Sequence, residues 1–277
     1  MELKVKTIWI FPVKSCGGIE MDSAKVCPYG FEHDHEFMVV DENGRMVSQR
    51  EYPKLCLVRT ALTDNMLHIC LPSGESETIN LLHEVEQKRT VQIHRDSAIG
   101  FVVHGPAAEL FCDYLGARVG LVRHVPRECP RTHYCREREM ALPASFADGY
   151  AVLVTTRRSL KRFEELCDVT DAERRLRPQL ILDSEDAYKP GIENRMFSIV
   201  TRNASGNYAA LVLAKRSERC VIPSIDPQTG VSDPRVIVAM KHHYSIPGVA
   251  APCFASNFFV AAQGTIKRGG RVLALVQ

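Results

Sequence analysis

Short apolar runs broken by turn-forming residues recur along this whole chain, and no long stretch sustains helical periodicity. A sequence of that pattern is confined to strands joined by turns, with helices only where a brief 3.6-residue period interrupts it. In the first part, residues 5–13, 36–41, 55–63, 66–71 and 91–94 read as strands. Asn43-Gly44 between two such runs is a strong hairpin signal, because both turn positions favour positive φ. Residues 107–114 read as a short helix with Ala108, Phe111 and Cys112 on one face and Gly116 as its stop. A charged, Pro-punctuated stretch at 125–143 lacks a sustained period and is expected to be a mobile connecting segment. Beyond it, residues 150–154 form a strand that runs through Thr155-Thr156 into a helix at 159–166. Further strands are expected at 180–183, 197–200, 210–214, 236–240, 258–260 and 272–276. The fold class is therefore mostly β with some α (α+β). It divides into an N-terminal β-barrel-like domain (1–124) and a second barrel domain (125–277).

Composition narrows the function. With 45% apolar and 25% charged residues over 277 positions, the chain can bury a substantial core. A net charge of +2 argues against a general nucleic-acid surface but leaves room for a local anion pocket. No apolar run approaches the ~18 residues of a membrane span. The opening residues alternate charged and apolar side chains, as a strand does and a signal peptide does not. Ten cysteines lie scattered from Cys16 to Cys253 with no CxxC pair. That distribution fits buried reduced thiols in an intracellular reducing compartment rather than a disulfide framework.

Three places could carry chemistry. Thr155 and Thr156, followed by Arg157 and Arg158, stand where a strand meets a helix N-terminus, which offers free N–H groups to an anion. Residues 11–18 run from a strand into a Gly-rich turn that presents Lys14 and Ser15, without the spacing of a Walker A loop. Cys220 follows the cations Lys215, Arg216 and Arg219 and precedes the turn Asp226-Pro227-Gln228-Thr229-Gly230. Nearby positive charge populates the thiolate, which is both nucleophile and metal ligand. His33-Asp34-His35-Glu36, Cys129/His133/Cys135 and His242-His243 match no standard zinc spacing and read as polar loops.

Taken in order, these segments resemble the MOSC family in its two-part branch, which includes the amidoxime-reducing components and bacterial relatives. Residues 9–18, then Phe37 to Asp41, Gly44 to Glu51 and Pro53, resemble the N-terminal β-barrel part. Asp148-Gly149-Tyr150, Thr155-Thr156, Ser159-Leu160, Arg175 to Gln179, Arg219-Cys220 and Gly264 to Gly269 resemble the MOSC part proper. The resemblance implies a molybdenum cofactor (molybdopterin) held between the two parts, with Cys220 as catalytic residue and metal ligand. Lys14, Ser15, Thr155, Thr156, Arg177, Gln179 and Arg219 would hold the pterin and its phosphate. Where the family has an Asp-Arg pair, this chain has His35-Glu36. Glu36 is then expected either to point away, compensated by His33, Arg45 or Arg50, or to go with a cofactor that sits differently.

The resemblance implies reduction of small N-hydroxylated substrates such as amidoximes, hydroxylamines and N-oxides. No Rossmann G-x-G-x-x-G and no C-x-x-C-H haem signature occurs, so electrons would come from a separate protein, of cytochrome b5 or flavin reductase type. The alternative is a non-catalytic carrier of molybdenum cofactor or sulfur.

Overall fold

The computed structural model describes residues 1–83, 86–202 and 208–276. Its organising element is a closed barrel of seven strands: Glu2–Ile10, Val152–Thr156, Leu180–Asp183, Met196–Arg202, Tyr208–Glu218, Cys253–Ala262 and Arg271–Val276. Six of these come from the second half of the chain. The seventh, Glu2–Ile10, closes the ring by pairing antiparallel with Arg271–Val276 on one side and Leu180–Asp183 on the other. Its sequence explains the fit. Leu3 and Val5 alternate with charged residues and face the core, and a register shift between Val5 and Thr7 then lets both Thr7 and Ile8 turn inward. A bulge of this kind re-aims side chains without ending the strand. Leu3, Val5, Ile8, Ile10, Leu180, Leu182, Ile199, Leu211, Phe258 and Val272 fill the interior.

Val152–Thr156 and Leu180–Asp183 are parallel neighbours, so the chain must cross over between them. The crossover carries two helices. We number the helices α1 (Pro106–Leu115), α2 (Arg157–Cys167), α3 (Ala172–Leu176) and α4 (Pro234–Tyr244), of which α2 and α3 form the crossover. They pack with α4 over Leu153, Ile181 and Phe254.

A second body is built on the sheet Phe37–Asp41, Val119–Arg123, Asp96–Val103 and Lys88–Ile93. The three-stranded sheet Arg59–Thr63, Met66–Cys70 and Ser76–Asn80, together with α1, covers a core of Phe37, Val39, Leu67, Ile69, Phe111 and Leu121. Gly116 ends α1 in the left-handed region at φ +67°, as a C-terminal glycine does. Strand Ser23–Cys27 pairs with Gly264–Lys267 from the far end of the chain, and Ala24, Val26 and Ile266 from this pair join the barrel core.

The architecture agrees with the mostly-β expectation, with four corrections in detail. Residues 236–240 are helical: Asp233 accepts from the Arg235 N–H as N-cap, and Pro234 sits at the first helical position. Only Val236 and Met240, one turn apart, are buried, so the aliphatic run serves a helix face. Residues 55–57 belong to the 3-10 turn Pro53–Leu57 that precedes the strand Arg59–Thr63. At Asn43-Gly44 only Gly44 has positive φ (+78°), and the pairing beyond is the single bridge Val40–Met46, because the Met46 N–H donates to the Gln92 carbonyl instead. The stretch 125–143 carries the hairpin Thr132–Cys135 with Met140–Pro143. The buried Arg131 guanidinium anchors it to the Ala147 carbonyl at 2.9 Å and to Asp96 at 3.2 Å.

At the start of α2, Thr156 caps the helix, and its hydroxyl, with those of Thr155 and Ser159, surrounds the fully buried Glu193. Burial pushes the Glu193 carboxyl above its ordinary value, although the hydroxyl donors pull the other way. A carboxyl whose pKa is raised by folding contributes stability below its unfolded value and loses it as pH rises through the folded one. Glu193→Gln should therefore melt above the wild type at pH 7.5, with the difference closing as pH falls to about 4.5. Thermal melts across that range check it; equal melting temperatures throughout would contradict it.

Candidate functional site

Where Glu2–Ile10 leaves the barrel, the chain turns through Phe11 to Gly18 and meets the ends of four other segments. Together they line a cavity of about 530 Å³ between the two bodies. Lys14 and Ser15 come from this turn, Gln49 and Arg50 from the second body, and Asp148 to Tyr150 from the approach to Val152–Thr156. Arg177 and Gln179 follow α3, and Arg219 and Cys220 follow Tyr208–Glu218. His35, His94 and His133 complete the wall.

The turn itself is held in an unusual conformation. Ser15 has φ +72°, a region that costs a non-glycine residue on the order of 1 kcal/mol. Gln49 Nε2 donates to its carbonyl at 2.6 Å, and the Gly17 N–H donates to the Val58 carbonyl at 2.8 Å. Gly18 is required because a Cβ there would lie 2.5 Å from the Phe11 ring. That ring is in turn the platform for Arg177, whose guanidinium sits 4.0 Å from its centroid.

The cations are buried and held by few partners. Lys14 pairs with Asp148, and burial lowers its pKa despite the carboxylate beside it. Burial also acts on Asp148, against its charged form, but Lys14 and His94 hold it well below the usual carboxylate range. His94 Nε2 lies 3.3 Å and Arg50 Nη2 3.8 Å from the same carboxylate. Arg177 donates through Nη1 to the Cys16 carbonyl at 2.6 Å, and burial pushes its pKa down to about 10. Arg219 donates through Nη2 to the Leu176 carbonyl at 2.7 Å and through Nη1 to Ser217 Oγ at 3.3 Å. Arg177 Nη2 and Arg219 Nε are buried without a protein partner. A buried guanidinium N–H left unmatched costs free energy unless a ligand accepts from it. Cys220 is a half-buried free thiol on the wall that Arg219 borders.

Of the residues singled out in the sequence, Lys14, Ser15, Arg177, Gln179, Arg219 and Cys220 line this one cavity. Thr155 and Thr156 do not; they face Glu193 in the interior, because a strand-end hydroxyl beside a helix start caps the helix first. Gln179 reaches the cavity but spends its amide on the frame: Oε1 accepts from the Leu153 N–H at 2.8 Å and Nε2 donates to Asp34 at 3.1 Å. Glu36 points away from the cavity. His33 Nδ1 lies 2.7 Å and Arg123 Nε 2.6 Å from its carboxylate, so His33 and Arg123 compensate it rather than Arg45 or Arg50. Burial opposes its ionisation, but these two partners hold its pKa below the ordinary value.

Sequence reasoning missed His35, Gln49, Arg50 and His94 as wall residues. They stand on loops that only tertiary packing brings together, and no local spacing marks them. His133, weighed from the sequence both against zinc and as part of a polar access surface, also stands in the wall. Its Nδ1 lies 2.8 Å from Asp96 Oδ2, and Gly149 is obligatory beside it, since a Cβ there would meet the ring at 2.9 Å.

A cavity with a free thiol, five lysine and arginine side chains and two unmatched guanidinium donors suits an anionic ligand that also offers a soft metal position. Comparison with known proteins points the same way. Residues 2–118 match the MOSC N-terminal beta barrel domain family. Over an alignment of 296 positions the chain is 24% identical to mitochondrial amidoxime-reducing component 1 of Mus musculus, covering 99% of this chain and 82% of that protein. It is 22% identical over 293 positions to mitochondrial amidoxime-reducing component 1 of Homo sapiens, covering 99% and 83%. Over 82 positions, 29% of this chain and 10% of its relative, it is 38% identical to the molybdenum cofactor sulfurase of Danio rerio. Residues 2–118 therefore form a MOSC N-terminal beta barrel domain, and the chain as a whole is similar from end to end to the mitochondrial amidoxime-reducing components.

Proposed function

We propose that this protein is a molybdenum-cofactor oxidoreductase that reduces small N-hydroxylated compounds with electrons delivered by a separate protein. The observation that carries the reading is the meeting of Cys220 with the unmatched Arg177 Nη2 and Arg219 Nε in one cavity. A pterin with a dithiolene and a phosphate needs a thiolate for its metal and N–H donors for its anionic groups. Cys220, Arg177, Arg219 and Lys14 offer that set. When bound, such a cofactor supplies the two-electron chemistry that cleaves an N–O bond.

The chain's own residues would do the rest. Cys220 would hold the metal position, with Arg219 beside it on the same wall. Lys14, fixed by Asp148, and Arg177, fixed over Phe11, offset the negative charge of the ligand. His133, oriented through Nδ1 by Asp96, is placed on the wall to hand a proton to the departing oxygen. Reduction of a hydroxylamine or amidoxime consumes two electrons and two protons, breaks the N–O bond and releases the amine or amidine with water. Among the described residues no helix is long and apolar enough to cross a membrane, so a donor is proposed to dock at the protein surface. A one-electron haem protein of cytochrome b5 type or a flavin reductase suits that step.

Benzamidoxime reduction with an artificial electron donor tests this reading on protein expressed in a host that makes the cofactor. The wild type should turn over, and Cys220→Ala should lose at least about 100-fold in rate, since a metal ligand is removed. A fully loaded wild type without turnover would instead favour a carrier of cofactor or sulfur. An active, molybdenum-loaded Cys220→Ala would contradict the assignment of Cys220. Arg177→Ala removes a charged hydrogen bond of the kind that contributes ~1.5–3 kcal/mol. Its molybdenum content after gel filtration should fall roughly 10- to 100-fold in retention. Wild-type content in that variant would remove Arg177 from the site.

A further inference from the structure

The turn between Phe31 and Phe37 sends neighbouring side chains in opposite directions. His33 and His35 both adopt positive φ, at +65° and +50°. Two left-handed residues in three bend the chain so that Glu36 joins Arg123 on the outside while His35 lines the cavity. Between them Asp34 is buried, and each of its oxygens is committed. Oδ1 accepts from the Phe11 N–H at 2.8 Å; Oδ2 accepts from Gln179 Nε2 at 3.1 Å and lies 2.7 Å from His35 Nδ1. A carboxylate locked by three partners fixes the imidazole it holds, and it places the Nδ1 proton on the side away from the cavity's ligand. The His35 ring also packs against Phe11, centroid to centroid 6.1 Å, so His35 and Arg177 bracket the same phenyl ring. Conformational strain of this kind persists where the surroundings enforce it, and it clusters at ligand sites.

We propose that His35 is an anion-binding residue of the cavity, and that its Nε2–H and Arg177 Nη2 together hold the phosphate of the bound pterin. The inference rests on the proposed function. In that role the imidazole donates through Nδ1 to the Asp34 carboxylate and through Nε2 to the phosphate, an anion on each side. His35 thereby supplies, from inside the cavity, the positive charge that Glu36 cannot. Asp34 acts as a positioning residue, and Gln179 as its second tie.

Protein from a cofactor-producing host would be assayed for molybdenum by elemental analysis and for pterin by fluorescence after oxidative release. Both readouts are independent of turnover. His35→Asn accepts the left-handed backbone and removes the imidazole. It should lose at least about 10-fold in pterin and molybdenum content while melting near the wild type, since a charge-assisted hydrogen bond is removed. His35→Arg, which restores a cationic donor, should retain at least about half the wild-type content by the same reasoning. Wild-type content in His35→Asn would overturn the assignment, and so would a His35→Arg as empty as His35→Asn, since packing alone would then be at stake. If inorganic phosphate stabilised the wild type but not His35→Asn while both held equal pterin, this corner would be a free-phosphate site and the pterin assignment would fall. A wild type without pterin would overturn both this inference and the functional reading beneath it.

Discussion

The pairing of Glu2–Ile10 with Leu180–Asp183 is the interaction on which the rest of the molecule depends. It closes a barrel whose other staves all come from the second half of the chain. It also fixes the two turns that leave those strands relative to one another, since the Trp9 N–H donates to the Gln179 carbonyl at 2.9 Å. From one strand end come Phe11, Lys14 and Ser15; just before the other stand Arg177 and Gln179. A closed barrel has no free edge and little freedom to slip in register. The cavity wall is therefore set by main-chain hydrogen bonds before any side chain is chosen.

On that frame the site concentrates charge that water would otherwise stabilise. Lys14, Arg177 and Arg219 are all depressed by burial, yet their compensation comes from the carboxylate of Asp148, for Arg177 also that of Asp34, and from backbone carbonyls. Carbonyl oxygens accept a guanidinium without cancelling its charge. The cavity thus keeps a net positive character, as recognition of an anionic ligand requires. The neighbouring Glu36, which would have opposed it, is turned outward and neutralised by Arg123 and His33.

Much of this was legible in the sequence, for physical reasons that differ from place to place. The barrel strands announced themselves by alternation, as in Leu3, Val5 and Ile8, and α1 by its glycine stop. The helix α4 did not, since Val236 to Met240 contains the aliphatic run of a buried strand and only the Asp233-Pro234 cap distinguishes it. Cys220, Lys14 and Arg177 were found because local basic residues and an ordered resemblance mark them. Thr155 and Thr156 carry the same local signature of an anion site, but Glu193 claims their hydroxyls, and that contact joins residues 37 and 38 positions apart. His94 and His133 were invisible because each meets its aspartate, Asp148 and Asp96, only in three dimensions, and His35, although next to Asp34 in sequence, reaches the cavity wall only through the fold.

The central claim is that this cavity is built for a molybdenum-bearing pterin. It is tested most directly by the metal-to-protein ratio of the purified chain after expression in a host that makes the cofactor, with zinc measured in the same sample. A cavity of this donor set predicts molybdenum approaching one atom per chain and zinc well below that, with the molybdenum lost when the host cannot make the pterin. Stoichiometric zinc without molybdenum, or molybdenum bound equally well in the absence of pterin synthesis, would contradict it.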